Sequence, residues 1–516
     1  MKFSRNSLLL AILIVAVFAY LLLGTGLHGD DYAEIFSMRR YSFLDFINPD
    51  PVHRSVMVFS PSSYYTLWWL FSAFGLNHQW VYDVIKIFVH LFAFFFAFKF
   101  FQWYLPYDRA VIASVLFLFY PLHDATTYWY MALVYIIAST SLLYAHSLIR
   151  DGKYAFGFVM SLFGSFAFYS SPPYVFGLAA IFITEKKYTK ALLFAIPGFL
   201  YIAFYLLIKK AYSGIEVKIN SSLNLIDFFS QLVLQMLSFI DVAIGPSFWL
   251  KIYYSITSIG IFSAIISTCI VVVLFIKSDW FSFQPKFSKS LFIGLFCVLL
   301  FSFGIYAITG LYQHSSFNLG NRSTVYASLL IASLLASLPL NKKTIILFAY
   351  IFIFPVFGLS DHWKSWNKHQ IVIIENIQKN SALKTLESNS LLLVTGNIYS
   401  KLGAFSHIEF FSMPWLVNSV FTDWVKSKNI VALTPYLYLD NCFLIDPKFG
   451  GRYPLGSKVY VYNSEANTVT PIALAAVPQL LAARSREIRH WVQLAKGTWI
   501  ESSIVALSPR LSYLFL

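Results

Sequence analysis

Eleven long apolar runs occupy most of the chain and constrain its fold more than any other feature. A bilayer offers no hydrogen-bond partners to exposed backbone, so only helices or closed barrels cross it. The runs are continuous rather than alternating, which favours helices. Hydrophobic residues make up 58% of the 516 residues and charged residues only 12%, far below the charged fraction of soluble proteins. We predict an all-α polytopic membrane bundle with about 11 transmembrane helices. The runs cover residues 7–27, 80–102, 109–122, 128–149, 154–170, 173–184, 189–208, 251–277, 287–310, 323–338 and 342–359.

The basic residues predict the orientation of this bundle. The formal net charge is +14, and most lysines and arginines fall in short loops between alternate pairs of runs. Cytoplasmic loops carry such an excess, so we expect a cytoplasmic N-terminus and an extracytoplasmic (periplasmic) C-terminal domain. The pattern indicates topology and contact with the lipid bilayer rather than nucleic acid. Because the sequence carries no eukaryotic targeting signal, we expect a bacterial inner (cytoplasmic) membrane.

Two adjacent carboxylates follow the first apolar run directly. Asp30 and Asp31 stand where the first helix is expected to leave the lipid on the outer side, and Glu34 lies one helical turn further on. Carboxylates at that depth are costly unless water, a metal or a cation meets them. The pair suits a general base that activates a hydroxyl of an acceptor on the aqueous side. The alternative is that the pair only caps the next helix or ends a solvated loop.

Three further polar residues or pairs are expected on the same outer face. His123 and Asp124 end the third apolar run, where they suit acid–base work or a phosphate contact, or merely stop the helix. Arg322 precedes the tenth run, and a guanidinium at a helix N-terminus suits a phosphate. The alternative for Arg322 is an arginine that snorkels to the interface. His314 lies in the same late outer loop.

The chain is expected to divide into a membrane domain, a small outer domain and a tail. Residues 1–360 contain the apolar runs, and their long first outer loop, 28–79, carries an aromatic segment that suits interfacial helices. Short runs rich in apolar residues read as buried strands and, with the helical or loop segments between them, predict a small soluble α/β domain over 361–469. Residues 470–516 differ in composition and form a tail of uncertain order. The predicted strands are Leu391–Val394, Ile430–Leu433 and Lys458–Tyr462.

Several short motifs occur over about residues 1–340, and their order and spacing are informative. They are Asp30-Asp31, His53-Arg54, Phe74-Gly75-Leu76-Asn77, Val89-His90-Leu91-Phe92, Tyr120-Pro121-Leu122-His123, and Asn321-Arg322 through Tyr326. This order resembles that of the C-type (GT-C) membrane glycosyltransferases. It is most similar to the transmembrane O-mannosyltransferases that carry tetratricopeptide repeats, and to their bacterial relatives.

The resemblance implies a GT-C-like bundle and an inverting glycosyltransferase of the cell envelope. The donor would be a polyprenyl-phosphate-linked sugar, and the acceptor a hydroxyl of a glycan (a polysaccharide or lipopolysaccharide), a lipid-linked glycan or a protein. Asp30 or Asp31 would be the catalytic base. No cofactor is implied, although a divalent metal is compatible with the chemistry. The substrate-binding candidates are Arg322, which would hold the donor phosphate, and His123, Asp124, Glu34, His314 and Arg54.

The sequence also departs from the family and leaves other functions open. Ser55 follows Arg54 where the family often has proline, and a shorter C-terminal region replaces the repeats, which leaves the acceptor open. One alternative is an O-antigen polymerase or ligase, although such enzymes use a larger late outer loop. Another alternative is a lipid or glycan transporter, which would carry ionisable residues in mid-membrane.

Overall fold

The computed structural model of the protein describes residues 5–211, 224–276, 288–309, 314–339, 341–425, 429–447, 450–456, 458–483 and 487–507. This part of the chain is mostly helical and carries a small sheet region towards its C-terminal end. The predicted fold class, a helical bundle with a small C-terminal α/β region, is confirmed at this level. The main bundle helices are Arg5–Leu22, Gln79–Phe101, Tyr107–Leu118, Leu133–Arg150, Tyr154–Ser165, Pro172–Thr184, Tyr188–Ala211, Leu225–Ala243, Pro246–Thr257, Ile261–Ile276, Lys289–Thr309, Val325–Ala336, Lys342–Phe348 and Phe354–Lys379.

Seven helical segments of the described chain are long and apolar enough to cross a membrane. The bent pair Pro246–Thr257 and Ile261–Ile276 makes an eighth if it forms one span. Three further apolar helices are shorter. These helices are those of a candidate membrane protein, and the count of 11 crossings stays a prediction. The seven segments are Leu76–Phe101, Tyr107–Tyr128, Leu133–Arg150, Tyr188–Ala211, Leu225–Ala243, Lys289–Thr309 and Lys342–Lys379, and the shorter helices are Ala11–Leu22, Tyr154–Ser165 and Pro172–Thr184.

The apolar run at 251–277 forms two helices that meet at 113° instead of one straight crossing. Asp361, from the helix Phe354–Lys379, accepts hydrogen bonds at this corner from the Gly260 amide (2.7 Å) and the Ser263 hydroxyl (2.8 Å). The first amides of a helix have no partner within it, so a carboxylate here stabilises a new helix start. Hydropathy could not reveal this corner, because its partner lies about 100 residues further along the chain.

The first outer loop folds into a series of short helices. Asp50 caps the third of them, because its side chain accepts hydrogen bonds from the amides of Val52 and His53. The aromatic side chains of Tyr65 and Trp69 are exposed, as an interfacial position requires, although that position itself stays a prediction. The helices are Asp30–Met38, Phe43–Ile47, Pro51–Phe59, Pro61–Ser63, the π-helical turn Tyr64–Trp68 and Trp69–Phe74.

The described part of the C-terminal region contains nine short strands. The four-stranded sheet has the order β4-β1-β8-β9, in which β1 runs parallel to β4 and β8, and β9 is antiparallel to β8. All three predicted strands are confirmed as β1, β4 and β8, and Leu392 of β1 pairs with Ala432 and Tyr460. The strands are β1 Ser390–Thr395, β2 Tyr399–Leu402, β3 Phe405–Glu409, β4 Val431–Leu433, β5 Tyr438–Asp440, β6 Phe443–Ile445, β7 Arg452–Pro454, β8 Lys458–Asn463 and β9 Thr468–Ile472.

Two parts of the structure cross the boundaries that were expected between the membrane domain, the outer domain and the tail. The helix Phe354–Lys379 continues without a break past residue 360, the expected boundary between membrane and outer domains. Part of the expected tail contacts the sheet region, because the Ser406 amide of β3 donates to the carbonyl of Ile488 (2.8 Å). The remaining helical segments of the C-terminal region are Ser381–Lys384, Pro414–Val425, Leu474–Ala476, Val477–Ala482, Trp491–Ala495 and Trp499–Leu507.

Candidate functional site

Asp31 is fully buried at the start of the helix Asp30–Met38. Its Oδ2 accepts a hydrogen bond from the His28 amide (2.9 Å) and its Oδ1 accepts one from the Met131 amide (3.1 Å). Burial raises the pKa of Asp31 to about 8, although these amides and the charge of Lys86 act in the opposite direction. Asp31 therefore ties the start of its helix to the chain near Met131, as the capping alternative describes.

Asp30 differs from its neighbour because its side chain stays partly exposed. Its Oδ1 accepts a hydrogen bond from the indole Nε1 of Trp415 (3.0 Å). Trp415 belongs to the helix Pro414–Val425, which packs against the helix Asp30–Met38. The helix Pro414–Val425 is part of the C-terminal region that follows Lys379, which we call the outer region after its expected position. Of the two adjacent carboxylates, Asp30 is the one that a solute can reach.

Gly29 brings the acidic pair against the late loop that carries Arg322. The φ angle of Gly29 is +51°, a left-handed conformation that costs little only for glycine. A Cβ atom at this position would lie 2.8 Å from Cδ1 of Leu319. Both the backbone conformation and the close approach of Leu319 therefore require glycine directly before Asp30.

Arg322 lies in the short 3₁₀ helix Leu319–Thr324, and its Nη1 donates to the carbonyl of Leu319 (3.1 Å). Its guanidinium carbon lies 5.2 Å from the centre of the Trp129 ring, a cation–π contact. Trp129 stands two residues before Met131, whose amide binds Asp31. The acidic pair and Arg322 therefore flank the same two segments and lie at the same end of the bundle.

Asp124 is the centre of a buried polar cluster that joins five parts of the chain. Its Oδ1 accepts from Lys251 Nζ (3.0 Å) and from the side-chain amide of Asn321, and its Oδ2 accepts from His407 Nε2 (2.8 Å) and Trp363 Nε1 (2.7 Å). Four donors fill the acceptor capacity of a carboxylate. In this arrangement Asp124 holds β3, through His407, and the late loop, through Asn321, against the bundle.

His123 is fully buried beside Asp124 and makes local hydrogen bonds. Its Nε2 donates to the carbonyl of Phe117 (2.7 Å), and its Nδ1 lies 2.7 Å from the hydroxyl of Thr126. Both ring nitrogens therefore have partners within the same turn of chain. This arrangement stabilises the helix end, and a ligand would have to displace one of these bonds to contact the ring.

Glu34 lies one turn after the acidic pair and binds His53 of the same outer loop. His53 Nε2 lies 2.9 Å from Glu34, and its Nδ1 lies 2.6 Å from Asp50 and 3.1 Å from the hydroxyl of Tyr41. Burial alone would lower the pKa of His53, but the hydrogen bonds and charges of Glu34 and Asp50 outweigh burial and raise it to about 9. A protonated imidazole therefore fastens the helix Pro51–Phe59 to the helix that begins with Asp30.

The two remaining predicted site residues contact other surroundings. Arg54 donates to the side chain of Asn48 (3.3 Å) and to the carbonyl of Pro49 (3.1 Å), within its own loop. His314 is buried among the rings of Phe239 and Phe303, and burial lowers its pKa to about 3. The structure therefore groups Asp30, Asp31 and Arg322, whereas Arg54 and His314 make their contacts outside that group.

Sequence reasoning missed several buried polar residues that position the site. Asp83 accepts hydrogen bonds from the amides of Gly24 and Gly26 (both 2.8 Å) and pairs with Lys86 at 2.8 Å, which fixes the turn before the acidic pair. An acid and a base three residues apart in an apolar run were a visible signal for this pair. Lys251, His407, Glu409 and Trp415 had no such signal, because their partners are distant in sequence.

A cavity of about 390 Å³ lies among the helices Pro172–Thr184, Tyr188–Ala211 and Lys289–Thr309. Its lining is almost entirely apolar and includes no predicted site residue. Its edge approaches the late loop, because Tyr169 lines it and the hydroxyl of neighbouring Ser170 accepts a hydrogen bond from Tyr326 (2.7 Å). Tyr326 stands four residues after Arg322 in the sequence.

Comparisons of the chain with protein-family models, with curated proteins and with solved structures find no match. Within the described ranges, no three His, Cys, Asp or Glu side chains are grouped so that they could hold a metal ion.

Proposed function

We propose that the protein is an inverting membrane glycosyltransferase of the GT-C type, which moves a sugar from a polyprenyl-phosphate donor to an acceptor hydroxyl. The proposal combines the order of sequence motifs with the position of one partly exposed carboxylate, Asp30, at the same end of the bundle as Arg322. That juxtaposition is the observation on which the proposal rests. The acceptor belongs to a glycan, a lipid-linked glycan or a protein. The site faces outwards from a bacterial inner membrane, with the N-terminus in the cytoplasm.

Asp30 is the proposed base, and Asp31 positions it. A general base must reach the acceptor hydroxyl, at a distance of about 2.6–3.2 Å between oxygen atoms. Asp31 is fully buried, and burial favours its neutral form, which cannot accept a proton. Asp30 is partly exposed and receives a hydrogen bond from Trp415, so its side chain is within reach of an acceptor hydroxyl.

The reaction is a single displacement at the anomeric carbon. The Asp30 carboxylate takes the acceptor proton while the acceptor oxygen bonds to the anomeric carbon from the face opposite the phosphate. The bond from that carbon to the phosphate oxygen breaks, and its electron pair leaves with the polyprenyl phosphate. Arg322 stabilises the charge of this leaving group through donors that match phosphate geometry.

The apolar cavity supports a donor with a long hydrocarbon chain. Its lining side chains offer almost no polar atoms, and its lining residue Tyr169 precedes Ser170, whose hydroxyl binds Tyr326 of the segment that follows Arg322. In this proposal the isoprenoid chain lies in the cavity and the phosphate binds Arg322.

The test uses purified protein in lipid nanodiscs with a panel of polyprenyl-phosphate sugars and with the exposed-site variant Asp151→Asn as control. We expect Asp30→Asn to lower kcat at least about 100-fold, because base catalysis contributes roughly 10²–10⁴-fold. Arg322→Ala should raise the donor KM about 10- to 100-fold, the value of a hydrogen bond to a charged group. Loss of activity in Asp31→Asn with full activity in Asp30→Asn would instead make Asp31 the base. Full activity in both variants would refute the proposal.

One observation favours a transporter as a second candidate. The ion pairs Asp83–Lys86 and Asp124–Lys251 are buried in apolar helices, as ionisable residues of transport pathways are. Protein donors occupy both carboxylates, however, and transport sites need free ligand positions. Proteoliposomes separate the two functions, because a transporter would move a labelled lipid-linked sugar between leaflets without forming a new glycosidic bond.

A further inference from the structure

The outer region contributes a partly exposed aromatic side chain directly at the proposed base. Trp415 is 36% exposed, and its Nε1 lies 3.0 Å from Asp30 Oδ1. The hydrogen bond orients the indole edge towards the carboxylate and leaves part of the side chain open.

A second carboxylate of the outer region stands next to the same point. Glu409 ends strand β3, and its Oε1 would lie 3.6 Å from a Cβ atom built on Gly29. The hydroxyl of Ser412 donates to its Oε2 (3.1 Å), and the side chain is partly exposed. Glu409 and Trp415 therefore face the start of the helix Asp30–Met38 from one short segment of the outer region.

This segment is held firmly against the bundle. The rings of Phe410 and Tyr32 pack edge to face, with centroids 5.3 Å apart, and both side chains are fully buried. His407, two residues before Glu409, binds the buried Asp124. The segment Glu409–Trp415 is therefore a preformed wall beside Asp30 and not a loose loop passing over it.

We infer that the segment Glu409–Trp415 forms the acceptor subsite and that the acceptor is a carbohydrate. The inference rests on the proposed function, which assigns Asp30 as base. A sugar ring presents a face of C–H groups, which packs on an indole, and a rim of hydroxyl donors, which carboxylates accept. Its reacting hydroxyl binds Asp30 while a neighbouring hydroxyl binds Glu409. The two carboxylates favour a neutral acceptor over an anionic one.

The first arm of the test measures acceptor binding without any donor. Wild-type protein in nanodiscs is titrated with neutral mono- and oligosaccharides and, separately, with serine- and threonine-containing peptides. We expect saccharide binding that weakens at least about tenfold in Trp415→Ala, as for truncation of a central aromatic contact. Glu409→Gln should also weaken it, and Trp415→Phe should retain most of it. The matched control is Trp499→Ala, which changes an exposed tryptophan of the tail.

The second arm measures turnover and separates this inference from the proposed function. Trp415→Phe removes the N–H donor but keeps a ring, so we expect a lower kcat with a nearly unchanged acceptor KM. Its donor KM should match that of the wild type. If the protein binds saccharides through Trp415 but shows no transfer activity, the proposed function is refuted and the saccharide subsite is still supported. Peptide binding in place of saccharide binding, or saccharide binding unaffected in Trp415→Ala and Glu409→Gln, would overturn the inference.

Discussion

The variant Asp124→Asn tests whether the buried cluster holds the outer region to the bundle. Asparagine has nearly the same shape as aspartate, but it replaces one acceptor oxygen with an NH₂ donor and removes the charge. The Lys251 ammonium, which is fully buried 3.0 Å from the carboxylate, would lose its counter-charge. Breaking a buried pair by removing one partner costs about 3–5 kcal/mol. We expect the free energy of unfolding to fall by that amount.

The assay is unfolding by SDS titration in mixed micelles, followed by tryptophan fluorescence, with limited proteolysis of the region after Lys379 as a second readout. The control is Asp151→Asn, which changes an exposed carboxylate at the end of the helix Leu133–Arg150. Adding Lys251→Met to Asp124→Asn removes the unpaired ammonium and should restore at least half of the lost free energy. Proteolysis should become faster in the single variant, because His407 loses its partner on the bundle.

Two results would refute this reasoning. One is a loss below about 0.5 kcal/mol in Asp124→Asn, within the range of surface substitutions and equal to the control. The other is an unchanged loss after Lys251→Met is added, because the cost would then not come from the uncompensated ammonium.

Two remaining predictions concern pH. His53 has a folded-state pKa of about 9, above the ordinary value of 6.5, so its stabilising contribution is complete below pH 6.5 and disappears as pH rises through 9. The thermal unfolding temperatures of wild type and Glu34→Gln should therefore differ less above pH 9 than at pH 6. Equal differences at the two pH values would contradict this prediction. Asp31 has a folded-state pKa of about 8, above the ordinary value of 3.8, so its contribution is complete below pH 3.8 and disappears as pH rises through 8. In Asp31→Asn the decline of stability across this interval should be smaller than in wild type, and an unchanged slope would argue against the raised pKa.

The helical bundle was predictable because long apolar runs indicate directly which segments favour lipid over water. A run of about 20 apolar residues has few alternatives to a helix, and the strands at Leu391–Val394 and Lys458–Tyr462 were visible as short runs rich in apolar residues. The corner at Gly260 was not predicted, because the run at 251–277 was interpreted as one crossing. Its cause, the carboxylate of Asp361, comes from a different helix.

The candidate site was predictable only where a local pattern carried the signal. Asp30 and Asp31 were found because two acids follow an apolar run, but their opposite surroundings depend on Met131 and Trp415, about 100 and 385 residues away. His123 suggested chemistry by its position at a helix end, yet both its nitrogens bind local partners. Sequence identified which groups are ionisable, whereas burial and partners decide what each can do.

The unbroken helix Phe354–Lys379 limits how a bulky substrate could enter. At 1.5 Å per residue its 26 residues form a rod about 39 Å long, without a hinge between the bundle and the sheet region. Asp361 on this rod binds the corner at Gly260, and Trp363 binds Asp124, so its lower half is fixed at two points. A hinge motion of the whole outer region would therefore have to bend this helix or break both contacts. The proposed lipid donor could instead diffuse sideways through the bilayer, and the proposed acceptor along the surface of the protein. Neither route requires the helix to bend or either contact to break.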